Sequence, residues 1–458
     1  MHLERAAPLE LRLDPLAAMR RWPASEPMSV LWSGGESPSS RWIVLARPGV
    51  CRVLPATATK SEAESFLRGV GFDRAIRQHA SNADKGTPPF RGGWIGWLSY
   101  ELGGVLEPRA RVEHAPRRLA GAVGKPPPSD WPLTVFQRCD DALIFDRSRG
   151  RWWSIGTPPA LLASAERTRP ADAVVEPGAG ARDRYARAVR VAREYIHAGD
   201  AYQVNLSHAL RGGTAIPPRE FAALLFESSG PWFGGFIEHT QGGRAFAVAS
   251  ASPEVFLSFD PIDGLLRSRP MKGTRPAGNE AAHDLRRSEK DTAELAMIVD
   301  LVRNDLGRVC DLGSVRVEAF RVMERHGGGR GLLQTTATVA GRPRDGATWL
   351  DAIHACFPGG SVTGAPKIRA MQIIDELEGE PRGPYCGSMG YIGDSGHAAF
   401  NILIRTAAIR SAEDGWDLTW RVGAGIVAES DPEREWQETL DKARSLRAAL
   451  AGRANTPR

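Results

Sequence analysis

The sequence predicts a mixed fold of α-helices and β-strands, of the α/β (α+β) class, on the strength of two patterns along the chain. The first 155 residues carry short apolar runs separated by Pro, Gly and Ser, which is typical of strands and loops. From about residue 185 onward, helical apolar periodicity alternates with short strand-like runs. With 458 residues and 42% hydrophobic content, the chain can bury a core large enough for both kinds of element.

The N-terminal region, residues 1–155, is predicted to consist mainly of strands. Its apolar runs are Val30 to Trp32, Trp42 to Ala46, Trp94 to Leu98 and Ala142 to Phe145. Residues 156–184 follow, rich in Ala, Pro, Gly and charged residues and without a sustained period. We therefore predict that they form a surface linker between two regions.

The second region, residues 185–450, is predicted to hold the helices. The expected elements are a helix over Tyr185 to Ala198, strands over Phe246 to Ala251 and Val255 to Phe259, and a helix over Thr292 to Leu306. A hairpin is expected where AAFNILIRTAAI and WDLTWRV flank the turn from Ser411 to Gly415. The last helix begins at Ser430 or Asp431 as N-cap, and its apolar face runs through Trp436, Leu440, Ala443, Leu446 and Leu450.

Composition excludes several classes of protein. The formal charge of +5 is small for this length and the basic residues are spread, so we expect no nucleic-acid partner. No uncharged apolar stretch approaches the roughly 20 residues that span a bilayer, and the N-terminus lacks an apolar signal segment, so we expect no membrane association and a cytoplasmic protein. The five cysteines are scattered without a C-x-x-C pair, as expected for reduced structural thiols.

Two helices begin with a pair of carboxylates one turn apart. Asp291 and Glu294 lie at i and i+3 at the start of one helix, and Glu435 and Glu438 have the same spacing in the last helix, followed by Lys442. Such pairs repel each other, so each is either a solvated surface pair or half of a site for a hard cation such as Mg²⁺. Two pairs from different helices together would supply an oxygen-rich Mg²⁺ site.

Lysine is rare in this chain, which favours arginine. Lys occurs only at positions 60, 85, 125, 272, 290, 367 and 442. Within RPMKGTRPAG, Lys272 is flanked by Arg269 and Arg275, which predicts an amine in an electropositive setting. Gly273 and Thr274 follow, and the glycine permits the backbone to approach a ligand closely. The alternative is an exposed lysine in a Pro/Gly turn.

Glu254 is the candidate general acid. It follows Pro253 directly and lies between apolar strands, where burial would raise the pKa of its carboxyl. The alternative is a salt-bridged glutamate at the end of a strand.

Several glycine-rich segments are candidate ligand contacts. FPGGSVTGAPKIR, which contains Thr363, leads into a helix N-terminus near Pro366 that suits an anion, but it lacks the G-x-x-x-x-G-K-[ST] pattern of a Walker A loop. GSMGYIG and RVGAGIV are further glycine-rich strand ends, each more often a tight turn than a site. Arg405 lies on an apolar strand and needs a partner, for which a dicarboxylate would serve.

In this order, the segments resemble the chorismate-utilising enzymes, a family that includes anthranilate synthase component I, aminodeoxychorismate synthase component I, isochorismate synthases and salicylate synthases. The resemblance covers residues 185–446. The matching stretches are AYQVNLS, SPEVF, RPMKGTRPAG, EKDTAELAMIVDLVRNDLGRVC, FPGGSVTGAPKIRAMQIIDELE, RGPYCGSMGYIG, NILIRT and GAGIVAESDPEREWQETLDKA.

The resemblance implies a layered fold with a large β-sandwich flanked by helices and a cleft between the layers. It also implies Mg²⁺ held by Glu294 and Glu438 on the ring carboxylate of chorismate, with Asp291 and Glu435 assisting. The implied substrate contacts are Tyr391 and Arg405 on the enolpyruvyl carboxylate, backbone amides of Gly423 and Gly425, Lys442 near the ring carboxylate, and Gly273, Thr274 and Thr363 lining the site.

One position separates two branches of the family. Aminodeoxychorismate synthases read P-I-K-G-T where anthranilate synthases read P-I-A-G-T, and this chain reads P-M-K-G-T around Lys272. The resemblance implies that Lys272 adds at C2 of chorismate, so that ammonia joins C4, while Glu254 transfers the protons. The expected product is 4-amino-4-deoxychorismate, a precursor of p-aminobenzoate and folate. No activated Cys with a His base is recognisable, so ammonia is expected from a glutamine amidotransferase subunit or from solution.

One departure from the family pattern concerns a histidine. Where many relatives have His-Leu-Val-Ser-Thr, this chain has LLQTTATVAG, so Gln334 occupies the usual His position, and His326 lies eight residues earlier. Glutamine orients a hydroxyl without donating a full proton, which leaves the acid role to Glu254. The alternatives kept open are anthranilate synthase component I and a non-catalytic subunit that binds chorismate unchanged.

Overall fold

The computed structural model describes residues 6–34, 41–77, 86–111, 131–164, 175–276, 278–326 and 332–451. Within these ranges the strands are β1 (Ala7–Leu9), β2 (Ser29–Trp32), β3 (Trp42–Leu54), β4 (Gly93–Leu98), β5 (Thr134–Asp146), β6 (Arg151–Ile155), β7 (Val175–Pro177), β8 (Gln203–Thr214), β9 (Gly234–Gln241), β10 (Arg244–Ser250), β11 (Val255–Asp260), β12 (Leu265–Arg269), β13 (Met271–Pro276), β14 (Arg316–His326), β15 (Leu332–Gly341), β16 (Gly364–Ala365), β17 (Ser388–Gly393), β18 (Ala398–Asn401), β19 (Thr406–Ala412) and β20 (Gly415–Ile426).

The α-helices of the described ranges are α1 (Pro15–Arg20), α2 (Lys60–Leu67), α3 (Glu101–Leu106), α4 (Ala181–His197), α5 (Pro218–Ser229), α6 (Asn279–Arg287), α7 (Glu289–Gly307), α8 (Trp349–Cys356), α9 (Lys367–Glu378), α10 (Pro432–Lys442) and α11 (Arg444–Leu450). Short helical turns lie at Arg68–Phe72, Pro108–Ala110 and Gly360–Val362. The mixed α/β class predicted from the sequence is confirmed.

The strands pair antiparallel and form two layers that share the long strand β5. The first layer runs β1–β6–β5–β3–β2–β9–β10–β19–β20–β8, and the second continues from β5 through β4–β17–β18–β11–β12–β15, with β13 and β14 also paired to β15. β5 can belong to both layers because β3 pairs with one of its edges along the strand, while the other edge pairs with β4 over residues 134–139 and with β6 over residues 142–146.

Within the described ranges, three apolar cores hold the layers and helices together. One lies between the two layers and includes Val44, Ile95, Trp97 and Met389. A second packs α1, α5 and α11 on the outer face of the first layer, and the largest packs α4, α7, α8 and α9 against the strands on the other side. The order is therefore helices, strands, strands, helices, as expected for a β-sandwich flanked by helices.

The hairpin predicted around Ser411 is confirmed as β19 and β20, but the run AAFNILIRTAAI is not one strand. It breaks between β18 and β19 because the chain passes there from the second layer to the first. The turn is completed at Arg405, which has a left-handed backbone with φ of 53°. Arg405 thus lies on a crossing between layers and not on an apolar strand.

The last helix is also divided. Asp431 caps α10 by accepting hydrogen bonds from the N–H groups of Glu433 and Arg434, as one of the two predicted caps. The helix ends at Lys442, and α11 starts at Arg444, so the predicted apolar face is shared between two helices. The leucines of α11 pack on α5, whereas Trp436 of α10 packs towards α4.

Strands from both predicted regions pair with each other, since β2 pairs β9 and β4 pairs β17. The boundaries at residues 155 and 185 stay a prediction, and residues 165–174 of the linker lie outside the described ranges. Among the described helices, none combines the length and apolar character needed to cross a membrane.

Candidate active site

Two neighbouring crossings between the layers carry polar side chains. The chain passes from β10 to β11 through Ser252 and Glu254, and back from β18 to β19 through Arg405. The crossings are joined by hydrogen bonds from the Ile402 N–H to the Glu254 carbonyl at 3.1 Å and from the Ser252 hydroxyl to the Ile402 carbonyl at 2.6 Å. This pairing holds Glu254 and Arg405 in one neighbourhood.

The Glu254 side chain is buried, with 3% of the residue exposed. Burial raises the pKa of its carboxyl to about 7, although the Ser361 hydroxyl, Lys272 and Arg405 each lower it. Ser361 donates a hydrogen bond of 2.6 Å to Oε1. A carboxyl with this pKa exchanges protons at neutral pH, which is what a general acid and base requires.

Arg405 faces the same region. Burial lowers the pKa of its guanidinium to about 10, and the neighbouring Glu254 carboxyl opposes this shift. The group remains cationic at neutral pH and suits a carboxylate ligand.

Lys272 lies on β13 with 14% of its side chain exposed. Its Nζ is 3.6 Å from Oε2 of Glu294 and 3.4 Å from Oε1 of Gln203. A Cβ at Gly425 would lie 3.2 Å from this Nζ, so the glycine leaves room for the amine. The amine therefore points into the space between β13, β20 and α7, and the alternative of an exposed turn lysine does not hold.

The electropositive setting predicted for Lys272 is wrong. Arg269 forms an ion pair with Glu324, and Arg275 forms one of 2.9 Å with Asp291, so both flanking guanidinium charges are compensated. Among the described residues, the ion pair of the amine is with the Glu294 carboxylate, at 3.6 Å.

Gly273 fixes the direction of Lys272. It forms a bulge in β13 opposite β15 and has φ of 71°, a conformation that favours glycine. A Cβ there would lie 2.7 Å from Leu285 and 3.0 Å from the Asp291 carboxyl, so no other residue fits without movement.

The first acidic pair is set by the N-terminus of α7. Ser288 caps the helix by accepting a hydrogen bond of 3.1 Å from the Asp291 N–H, which places Asp291 and Glu294 in its first two turns. Asp291 is engaged by Arg275, whereas Glu294 lies 3.6 Å from Lys272 and 3.8 Å from Lys290.

The second acidic pair lies at the start of α10. Glu435 is buried and accepts a hydrogen bond of 2.7 Å from Ser430, and burial together with the neighbouring Glu438 raises the pKa of its carboxyl. Glu438 is exposed and forms an ion pair of 2.8 Å with Lys442, which lowers the pKa of Glu438.

The two pairs share cationic neighbours. The positive charges of Lys272 and Lys290, which flank Glu294, also lower the pKa of Glu438. The carboxylates of α7 and α10 therefore border one space. Among the residues that the structure describes, however, no three His, Cys, Asp or Glu side chains form a group ready to hold a metal ion.

Lys442 and the glycines of β20 line the same space. Lys442 donates a hydrogen bond of 2.8 Å to the Gly423 carbonyl. A Cβ at Gly423 would lie 2.5 Å from the Leu206 carbonyl and 2.8 Å from the hydroxyl of Tyr385. Gly423 therefore allows β20 to lie close to β8 and to Tyr385.

Two predicted contacts are not brought to this space. Tyr391 lies on the same face of β17 as Met389, the face that packs between the layers, and its ring meets Phe90 edge-on with the ring centroids 5.5 Å apart. The hydroxyl of Thr363 is buried and donates to the Gly359 carbonyl at 3.0 Å. The side chain of Thr274 lies outside what the structure describes, although its backbone pairs with Gln334.

Sequence reasoning missed three residues of the site. Gln203 contacts Lys272, Ser361 contacts Glu254, and Tyr385 lies beside Gly423. Each stands inside a stretch that carries the family resemblance, AYQVNLS, FPGGSVTG or PYCGSMG, so the segments were identified but the side chains were not. Gln334 is buried on β15 opposite Thr274 and Glu324.

The space thus combines an amine, a buried carboxyl that titrates near neutral pH, an arginine and two acidic helix starts. A family model described as chorismate binding enzyme matches residues 29–448 of this chain. The chain therefore belongs to the chorismate binding enzymes.

Relatives from two branches of this family are similar to the chain. Anthranilate synthase component 1 1 of Haloarcula marismortui is 37% identical over 392 residues, which cover 78% of this chain and 76% of the relative. Aminodeoxychorismate synthase component 1 of Klebsiella aerogenes is 36% identical over 372 residues, covering 77% and 76%. The crystal structure of anthranilate synthase component I from Streptococcus pneumoniae superposes with a TM-score of 0.71 at 26% identity, covering 95% of this chain and 97% of that one.

Proposed function

We propose that the chain is the synthase subunit of an aminodeoxychorismate synthase, which converts chorismate and ammonia to 4-amino-4-deoxychorismate. The observation that carries the proposal is the Lys272 amine, 3.6 Å from Glu294 and beside Gly425. An amine in this position is a nucleophile for the ring, which an alanine could not be.

The lysine determines which ring carbon receives nitrogen. In the proposed reaction, neutral Lys272 bonds to C2, both ring double bonds move by one position towards C4, and the C4–O bond breaks. Glu254 donates its proton, and the hydroxyl leaves as water. Ammonia then bonds to C4, both ring double bonds return to their first positions, and the C2–N bond breaks to release Lys272 as a free amine.

Glu254 suits this role because the raised pKa of its carboxyl, about 7, leaves both protonation states accessible at neutral pH. After donating a proton to the leaving hydroxyl, it is a carboxylate ready to receive one from the incoming nitrogen. Arg405, which lies near it, is proposed to bind the enolpyruvyl carboxylate.

The donor set fits Mg²⁺, because carboxylate oxygens are its preferred protein ligands. Glu294 and Glu438 are the proposed ligands, with Glu435 and Asp291 as supporting groups, since the carboxylates of α7 and α10 border one space. Bound Mg²⁺ would neutralise the ring carboxylate of chorismate. Lys442 is proposed to lie near that carboxylate, beside Gly423.

The ammonia is proposed to come from a separate glutamine amidotransferase subunit, consistent with the component 1 names of the relatives. Cys386 is no candidate glutaminase nucleophile, because burial raises the pKa of its thiol well above its ordinary value. The product would feed the synthesis of p-aminobenzoate and folate.

The second candidate is anthranilate synthase component I, the activity for which the Haloarcula marismortui relative, 37% identical, is named. Identities of 37% and 36% do not separate the branches, so the argument depends on Lys272.

The test is to incubate the purified chain with chorismate, Mg²⁺ and an ammonium salt, and to identify the product by mass spectrometry while assaying pyruvate. We expect 4-amino-4-deoxychorismate and no pyruvate. Anthranilate with an equal amount of pyruvate would overturn the proposal in favour of the second candidate. Unchanged chorismate would favour a subunit that binds without catalysis.

A further inference from the structure

A small cavity lies beside Glu254, and Lys272 is not among the residues that line it. Its volume is about 20 Å³, which is room for one water-sized molecule. The polar groups in its wall include Glu254, Ser361, Ser268 and Asp305, and the apolar part includes Val302. Glu254 therefore borders both the proposed substrate space and this cavity.

The polar wall is dominated by groups that accept hydrogen bonds. Glu254 and Asp305 are carboxyls with 3% and 5% of each residue exposed, and Ser268 and Ser361 supply hydroxyls. Asp305 is anchored by Lys367, whose Nζ donates to it and to the Cys356 carbonyl, both at 2.7 Å. This ion pair ties α7 to the start of α9 and fixes the far end of the cavity.

We propose that this cavity binds one ammonium ion and delivers it to Glu254. The inference rests on the proposed amination of chorismate and names a place for its second substrate. Ammonium has the size of water but only donates hydrogen bonds, so it matches a wall of carboxyl and hydroxyl oxygens. Water would also accept hydrogen bonds, but the Ser361 hydroxyl already donates to Glu254, and the Glu254 carboxylate formed in the reaction is only an acceptor.

Because the cavity lies beside Glu254, an ammonium ion bound there can return the proton that Glu254 loses in the reaction. Once Glu254 has protonated the leaving hydroxyl, it is a carboxylate. Ammonium then gives one proton to Glu254 and becomes ammonia, which bonds to C4. The released Lys272 is neutral and Glu254 is protonated again, so chorismate and ammonium yield aminated product, as its C4 ammonium, and water. Both groups are then as they were at the start.

Filling the cavity tests the proposal. Val302→Ile adds a methylene to its wall, and Val299→Ile makes the same change one turn earlier on α7, at a buried core position that does not line the cavity. Steady-state kinetics with ammonium as the varied substrate should show the KM for ammonium raised about tenfold in Val302→Ile, which corresponds to losing one favourable interaction. The KM for chorismate should not change, and Val299→Ile should match the wild type.

The opposite variant provides a second readout in case Val302→Ile does not fold. Val302→Ala enlarges the cavity and should allow methylammonium to act as substrate, with Val299→Ala as its control. An unchanged KM for ammonium in Val302→Ile, together with no use of methylammonium by Val302→Ala, would overturn the ammonium site. The proposed function would stand, because the wild type would still aminate chorismate. Absence of amination by the wild type would instead remove the proposed function.

Discussion

Substituting Glu254 by glutamine should stabilise the protein at alkaline pH, because the native fold buries this carboxyl. The pKa of the Glu254 carboxyl is about 7 in the folded protein, compared with the ordinary value of 4.5 that applies to the unfolded chain. The folded pKa is the higher one, so the carboxyl contributes stability below about pH 4.5 that is lost as the pH rises through about 7. At about 1.4 kcal/mol per unit of pKa, the change is about 3 kcal/mol.

The glutamine side chain has nearly the same shape, still accepts the hydrogen bond from Ser361, and does not titrate. The free energy of unfolding of wild type minus that of Glu254→Gln should therefore fall by about 3 kcal/mol between about pH 4.5 and about pH 8. Urea unfolding followed by circular dichroism at several pH values measures this difference. Glu62→Gln is a control, because hydrogen bonds from Thr59 lower the pKa of Glu62 and its contribution to stability therefore changes below about pH 4.5 and stays nearly constant above it. A constant difference for Glu254→Gln across the range would refute the burial argument.

The remaining predictions concern neighbouring positions. Gly425→Ala should lower kcat about 100-fold, because its Cβ would displace the Lys272 amine, and it should cost little stability, because only the ends of side chains must move. Gly423→Ala should instead lower the free energy of unfolding in urea by about 1–3 kcal/mol, because its Cβ would meet the Leu206 carbonyl. Ser361→Ala should raise the pKa of Glu254, so the alkaline limb of the kcat profile should move to higher pH, and an unmoved limb would count against this role. His208 has its pKa lowered to about 3 by burial, so stability should fall by about 2 kcal/mol from pH 6.5 to about 5, a loss that His208→Gln should not show.

The sequence predicted the elements that have a strong local signal. The helices α7 and α10 and the hairpin of β19 and β20 follow from apolar periodicity, caps and a turn, all of which are properties of adjacent residues. Glu254 was expected to be buried because it lies between two apolar strands, and the structure gives that carboxyl the raised pKa that was expected.

Features that depend on distant parts of the chain were not predictable. The break in AAFNILIRTAAI arises because residues 402–405 change layers, which no local pattern reports. Tyr391 and Tyr385 are six residues apart, and only the pairing of β17 shows that Tyr391 faces the core between the layers. The compensation of Arg269 by Glu324 joins positions 55 residues apart, so the charge around Lys272 was misjudged from its neighbours in sequence.

The central claim is that the Lys272 amine directs nitrogen to C4, and product analysis of two matched lysine variants tests it most directly. Lys290 also lies beside Glu294 but has 62% of its side chain exposed, so Lys290→Ala removes a charge from the same carboxylate without removing the amine from the site. With chorismate, Mg²⁺ and ammonium, Lys272→Ala should form 4-amino-4-deoxychorismate at least about 100-fold more slowly than Lys290→Ala. Equal rates of its formation by the two variants would contradict the account.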